Sequence, residues 1–326
     1  MREADKIEKI DGLAIRSEEI GFRPEQMVDC GKCGKKNPPT RELCLYCGAA
    51  IIGAHAGKLN ARPIETWEKG FNVIAFPDGA FDIASVARYL SFEIAEIERM
   101  SVLGSELPLA RLESYELATR AADRLAEYGL SCLVVSDDQL SAERPPVRVR
   151  SLHIAEGRIL LTDFNTAAVR SFERRDLLLI VMGTVLESRT EVFEKRKRKE
   201  AKIEHESQTS SDETLIDLYF ADDRTGFRIP TRGFDFSCLG PSKTLLAGEN
   251  MARLADGLSQ WASSAVFCAE YGSERQVLEL VWPAEAQRDT FGMQRSGFGK
   301  TSFTNVTTKS GIHQFTRYSR LRRHLL

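Results

Sequence analysis

The chain has 326 residues, 42 % hydrophobic and 28 % charged, with a formal net charge of −2. That length gives room for two or three domains with cores of their own, and a charge so near neutrality argues against a dedicated polyanion binder. The longest apolar run, Leu177 to Leu186, is about half a membrane span, and Met1-Arg-Glu-Ala-Asp-Lys lacks the apolar core of a signal peptide. A cytoplasmic protein with no integral membrane segment is expected.

Residues 1–27 are charged and weakly periodic, as a short helix or an ordered tail would be. Residues 28–52 then carry two cysteine pairs, Cys30-Gly-Lys-Cys33 and Cys44-Leu-Tyr-Cys47, separated by the ten residues Gly34 to Leu43. A Cys-x-x-Cys knuckle aims two sulfurs at one point, and two knuckles supply the four thiolates of a tetrahedral zinc site. Gly34 and Gly48 follow the second cysteine of each pair, where a turn often demands positive φ. Asn37-Pro38-Pro39 adds turn chemistry between the pairs. A thioredoxin-like redox pair would sit between a buried strand and a helix and would leave Cys44 and Cys47 unexplained. One structural zinc ion held by Cys30, Cys33, Cys44 and Cys47 is therefore expected, with no open position for a substrate. The stretch from Cys30 to Gly48 resembles the short zinc ribbons at the ends of bacterial multidomain proteins. Its spacing is also similar to the RanBP2-type finger, although the Trp that RNA-binding members place two residues before the first cysteine is Val28 in this sequence.

Residues 53–70 are polar and aperiodic and read as a linker, with Trp67 packing onto a neighbour. A small α/β module is expected over 71–140. In it, Phe71 to Phe76 reads as a strand stopped by Pro77-Asp-Gly79, and Ile83, Val86, Leu90, Ile94 and Ile97 form one helical stripe. A second helix is expected from Ser114 to Tyr128, stopped by Gly129, with a strand over Cys132 to Ser136. The run from Leu107 to Val135 resembles the C-terminal domain of ribosomal protein L7/L12 and related ferredoxin-like modules, a likeness that implies partner docking and transfers no site residue.

After Arg144-Pro-Pro146 the sequence turns β-rich, and a third domain is expected over 146–265. Leu177-Leu-Leu-Ile-Val-Met182 is continuously apolar, as a strand covered on both faces would be. A polar stretch follows from Glu194 to Asp212, and within it the run Lys195-Arg-Lys-Arg-Lys199, followed by several acids, reads as a solvated loop or hairpin tip. Ala247, Met251, Leu254, Leu258 and Trp261 mark the clearest helix of the chain. Gly157-Arg-Ile-Leu-Leu-Thr162 followed by Asp176-Leu-Leu-Leu-Ile180, with that helix after many short strands, resembles a PH-like (or GRAM-like) barrel. Residues 266–289 contain a further helix, Glu274 to Trp282, ended by Pro283.

The last segment, 290–326, has no Asp or Glu. It carries Arg295, Lys300, Lys309, Arg317, Arg320, Arg322 and Arg323, interleaved with Phe291, Phe298, Phe303, Phe315 and Tyr318. Basic groups neutralise phosphates and aromatic rings stack on unpaired bases, so these seven cations are candidate nucleic-acid contacts. The opposing reading is a tail that folds back on its own acidic domains through its phenylalanines, which so many aromatics favour. Ser296-Gly-Phe-Gly-Lys-Thr301 is not a phosphate loop, because Gln294 stands where the pattern needs glycine and no hydrophobic strand precedes it. Neither the five histidines nor Ser237-Cys238 form a catalytic constellation. Taken together, an α+β multidomain protein is expected: a zinc ribbon, a small α/β (ferredoxin-like) module and a PH-like β-barrel with a C-terminal helix. The expected function is a non-enzymatic scaffold or regulator that docks proteins, the alternative a nucleic-acid binder using the ribbon and the basic tail.

Overall fold

The computed structural model describes residues 9–10, 13–14, 27–38, 44–49, 58–59, 61–62, 64–65, 68–141, 143–197, 200–222, 225–295 and 300–326, with the backbone alone at 9–10, 13–14, 28, 187–197, 200–209, 286–295 and 300–309. The chain is mixed α+β and forms two compact units, residues 1–62 with 82–97 and residues 63–81 with 98–326. These bounds differ from the seven sequence segments. Residues 71–81 and 98–140 share a unit with the residues that follow, and 82–97 belong to the other.

In the first unit, β1 (Lys9–Ile10) pairs antiparallel with β2 (Leu13–Ala14), so the described part of the N-terminal segment is a strand pair and no helix. β3 (Val28–Asp29) and β4 (Lys36–Asn37) form a second short ladder around the first knuckle. Trp67 lies outside the described residues.

In the second unit, β5 (Phe71–Phe76) is as expected. The helical stripe from Ile83 to Ile97 is two helices, α1 (Ile83–Leu90) in the first unit and α2 (Ile94–Leu103), whose first turn belongs there too. The break is at Ser91, which adopts a left-handed C-cap with φ of 61° and turns the chain before α2 starts. β6 (Leu107–Leu112) was not anticipated, because Pro108 argues against a strand. It is tolerated at the edge, where β6 pairs only with β5. α3 (Tyr115–Glu127) begins where Ser114 accepts the Leu117 N–H, and Gly129 follows with φ of 87°. β7 (Ser131–Ser136) completes an antiparallel sheet ordered β6-β5-β7, and α4 (Asp137–Leu140) closes the segment with a capping box at Ser136.

The larger sheet contains β8 (Val147–Ala155), β9 (Arg158–Asp163), β10 (Val169–Glu173), β11 (Leu177–Lys197), β12 (Glu200–Phe220) and β13 (Phe227–Pro230). After α5 (Ala247–Trp261), β14 (Val266–Cys268) and α6 (Tyr271–Leu278) come β15 (Ala286–Arg295), β16 (Lys300–Ser310) and α7 (Ile312–His324). The strand order is β10-β9-β8-β13-β12-β11-β16-β15, with β14 parallel to β11. Among the described residues this path is open, ending at β10 and β15, so the barrel closure expected from the PH-like resemblance is absent. The polar stretch 194–212 is strand almost throughout, and the described part of its basic run, Lys195 to Lys197, lies at the end of the β11–β12 hairpin, where a loop or hairpin tip was expected.

Strict alternation explains the layering. Ile180 of β11, Ile216 and Leu218 of β12, and Phe227 and Ile229 of β13 join Met251, Leu254 and Leu258 of α5 in one apolar core. Their neighbours in sequence face the other way. A Cβ on Gly183 would lie 2.5 Å from the Phe315 ring of α7 and 2.7 Å from Tyr271 of α6. Asp217 and Arg228, on the same face, form a bidentate pair with both contacts at 2.7 Å, and the guanidinium lies 5.1 Å from the Phe315 ring centre. The 177–182 run is thus covered on both sides, by α5 and by α6 with α7.

Candidate metal centre

The four cysteines expected as ligands come together. The sulfurs of Cys30, Cys33, Cys44 and Cys47 all lie within 4.8 Å of one another. The cross-knuckle pairs are closest, with Cys30 Sγ and Cys47 Sγ 3.7 Å apart and Cys33 Sγ and Cys44 Sγ 3.5 Å apart. A tetrahedron with metal–sulfur bonds of about 2.3 Å has edges of about 3.8 Å, so the donor set fits one tetrahedral ion.

The two knuckles repeat one backbone device. Cys30 N–H donates to Lys35 O and Gly34 N–H to Cys30 O, at 3.0 and 2.8 Å. Cys44 N–H donates to Ala49 O and Gly48 N–H to Cys44 O, at 2.8 and 3.0 Å. Gly34 and Gly48 take φ of 66° and 67°, the left-handed turn that folds each peptide back over its sulfur. Asn37 joins the knuckles from a fully buried position. Its amide nitrogen donates to Cys44 Sγ at 3.4 Å and to Lys35 O at 2.7 Å, and its oxygen accepts the Leu45 N–H at 2.8 Å. Sequence reasoning assigned Asn37 only a turn role. The Asn-Pro pair between two knuckles was the available signal, but which sulfur it would serve depends on the fold.

These donors bias the sulfurs toward thiolate, the form a metal takes. The N–H groups of Cys33 and then Lys32 lower the Cys30 thiol, against burial. Burial is the largest influence on Cys44 and pushes it up, but the N–H groups of Tyr46 and Cys47, the Cys33 sulfur and the Asn37 amide outweigh it and bring Cys44 down to about 6. Cys33, crowded by burial and by the other three sulfurs despite the opposing Lys35 N–H, is pushed up to about 12. Four thiols in one place cannot all ionise without a cation, which is the electrostatic demand that a metal satisfies.

The seven basic residues of the tail divide. Arg295, Lys300 and Lys309 lie on β15 and β16. Arg317, Arg320, Arg322 and Arg323 lie on α7, and none of the four is exposed. Arg322 holds both oxygens of the buried Glu274 at 3.0 Å and Glu106 at 2.7 Å. Arg320 is buried and donates to Arg144 O, and burial followed by the nearby Arg111 lowers the Arg317 pKa. With Phe315, Tyr318 and Leu321 fully buried, α7 is an internal strap, and Arg320 and Arg322 do not present a phosphate-binding face. Ser296 to Gly299 lie outside the described residues. Asp235 accepts the Ser237 N–H and caps the 3₁₀ turn Phe236–Ser242, where Cys238 sits half-buried.

No family model matches this sequence, and no curated protein or solved structure is similar to it. Among the described residues no helix is long and apolar enough to cross a membrane.

Proposed function

We propose that this protein is a non-enzymatic scaffold or regulator that docks protein partners, with one structural zinc ion in the four-cysteine cluster fixing the shape of its N-terminal knuckles. The observation that carries the docking reading is the pair Leu45 and Tyr46, held between Cys44 and Cys47 and exposed by 52 % and 58 %. Two large apolar side chains on a rigid turn are an anchor of the kind that interfaces bury. Lys35 Nζ lies 4.4 Å over the Tyr46 ring, which places a charge at the rim of that anchor.

Two further features support binding over catalysis. An all-cysteine tetrahedral set leaves no position for water or substrate. Of the four carboxylates buried among the described residues, Asp137, Asp217 and Glu274 each have an arginine within 3.0 Å, from Arg111, Arg228 and Arg322, as structural ion pairs do, and Glu213 is the fourth.

A photo-crosslinking amino acid at position 45 tests the reading. The expected result is a discrete cross-linked protein that is absent when the probe sits at Lys32, and that is lost with Tyr46→Ala or after metal removal. Equal labelling from both positions ends the proposal.

A further inference from the structure

β11 and β12 continue well past the helix-covered core, and β16 and β15 add to them there. β16 pairs with β11 from Leu186 to Arg196, and β15 with β16 along its whole length. β13 pairs with β12 only from Leu215 to Leu218, so the far part of β12 is one edge and β15 the other. The result is a four-stranded arm about 40 Å long at the usual rise per residue. The two basic stretches, more than ninety residues apart in sequence, meet at its far end.

Register places them. Arg196 stands opposite Lys300, and Lys195 opposite both Lys202 and Thr301, with Thr301 opposite Arg295. Lys202, Lys195, Thr301 and Arg295 therefore form one cross-strand row on one face. Two residues inward on that face lies the row His205, Phe193, Phe303 and Met293, and two further inward the row Ser207, Glu191, Asn305 and Phe291, so the one acid on these three rows sits farthest from the tip. The extra residue Glu204, at the irregularity between Phe193 and Glu194, is what brings Lys202 onto this face. Like charges directly opposite one another destabilise a ladder. Only Lys197 has an acid, Glu200, as its register partner among these tip cations. A row of cations beside a row of aromatic positions is the combination that tracks a phosphate backbone and stacks unpaired bases.

We infer that this face of the arm tip binds single-stranded nucleic acid, through Lys195, Lys202 and Arg295 to phosphates and Phe193 and Phe303 to bases. Four strands side by side span about 14 Å before side chains are added, more than the roughly 12 Å major groove admits, so base reading in a duplex is disfavoured. The net charge of −2 does not oppose this, because the cations are concentrated at one end of one element.

The test is fluorescence anisotropy of the full-length, zinc-loaded chain against a labelled oligothymidylate of about 20 nucleotides, a duplex of equal length, and vesicles of phosphatidylcholine with phosphatidylglycerol, at about 50 and about 200 mM salt. The single strand is expected to bind most tightly. Lys195→Glu with Arg295→Glu should cost at least about tenfold and flatten the salt dependence by about one power of salt concentration. Phe193→Ala with Phe303→Ala should cost about tenfold with the salt slope unchanged. The charge-matched pair Arg150→Glu with Lys243→Glu, on exposed residues away from the arm, should hold affinity within about threefold, against the tenfold loss from the tip reversals. Far-UV circular dichroism checks folding, and if the phenylalanine pair misfolds the charge reversals decide alone. Absence of single-strand binding at low salt, equal loss in the Arg150/Lys243 control, or tighter binding to duplex or vesicles overturns the inference. None of those results bears on the Leu45–Tyr46 anchor.

Discussion

Between Met27 and Ala49 the buried side chains among the described residues are Cys30, Asn37 and Cys44, whereas the sheet beneath α5 buries isoleucine, leucine, valine and phenylalanine from five strands. The first region has almost no apolar surface to remove from water, so on the proposed reading a metal–thiolate core takes its place. The second is held by burial at roughly 25 cal/mol per Å², and it can therefore tolerate buried charges on its other face when each is paired. The difference teaches that the two regions should fail under different conditions, and each prediction below sets them against each other.

The largest effect is expected from metal. Structural zinc contributes about 10–16 kcal/mol of folding free energy to small thiolate sites. Chelation, or Cys44→Ser, should abolish amide-exchange protection across 27–49 and leave β11, β12 and α5 protected. Loss of protection in both regions would show that they are not independent. Acid should act in the same direction. Burial raises the metal-free Cys44 thiol, but the surrounding N–H groups, the Cys33 sulfur and the Asn37 amide outweigh it and favour the thiolate; a bound cation favours it further, and acid, competing with the ion for all four sulfurs, should release it as pH falls. Cobalt substitution and its charge-transfer band, followed from pH 8 to about 4, would report this, while the core's circular dichroism should stay constant.

Next in size is the Asp217–Arg228 pair, with Asp217 completely buried. Arg228→Ala strands a carboxylate and should cost about 3–5 kcal/mol, read as a lowered urea midpoint. The double change Asp217→Leu with Arg228→Met should recover most of that loss, since it removes both charges. Gly183→Ala is expected to cost about 1–3 kcal/mol by pressing on Phe315 and Tyr271, and Phe315→Leu in the same chain should cost less than the two losses added. Smallest is Ser114→Ala, which removes the α3 cap for about 1 kcal/mol. Metal content should be unchanged by all of these.

Several elements were legible because the sequence carries their signal locally. Phe71 to Phe76, the helix starting at about Ser114 with Gly129 as its stop, and the stripe Met251, Leu254, Leu258 each appear where expected. Others were not. The break at Ser91 interrupts a stripe whose apolar spacing continues through it, so periodicity alone runs the two helices together. β6 carries a proline that only an edge position excuses. Residues 194–212 are mostly polar, and without apolar alternation a strand has no period-2 pattern by which to be recognised. The PH-like rhythm of short strands was visible, but closure depends on whether β10 meets β15, which no local pattern encodes.

The sequence by itself determined which four cysteines could share a metal ion, because two tight Cys-x-x-Cys turns with glycine behind each have few other uses, and their sulfurs do lie within 4.8 Å of one another. It also determined which residues form the main core, because burial selects apolar side chains at strand and helix periods. What only the tertiary structure decided is the fate of the charges. The arginines of one acid-free segment separate into Arg320 and Arg322, on α7 and bonded to Arg144 O and Glu274, and Arg295, set beside Lys195 across three strands. Charge is a property of the residue, but its partner is fixed by register and packing between segments far apart in the chain, and that is where sequence ceases to speak for structure.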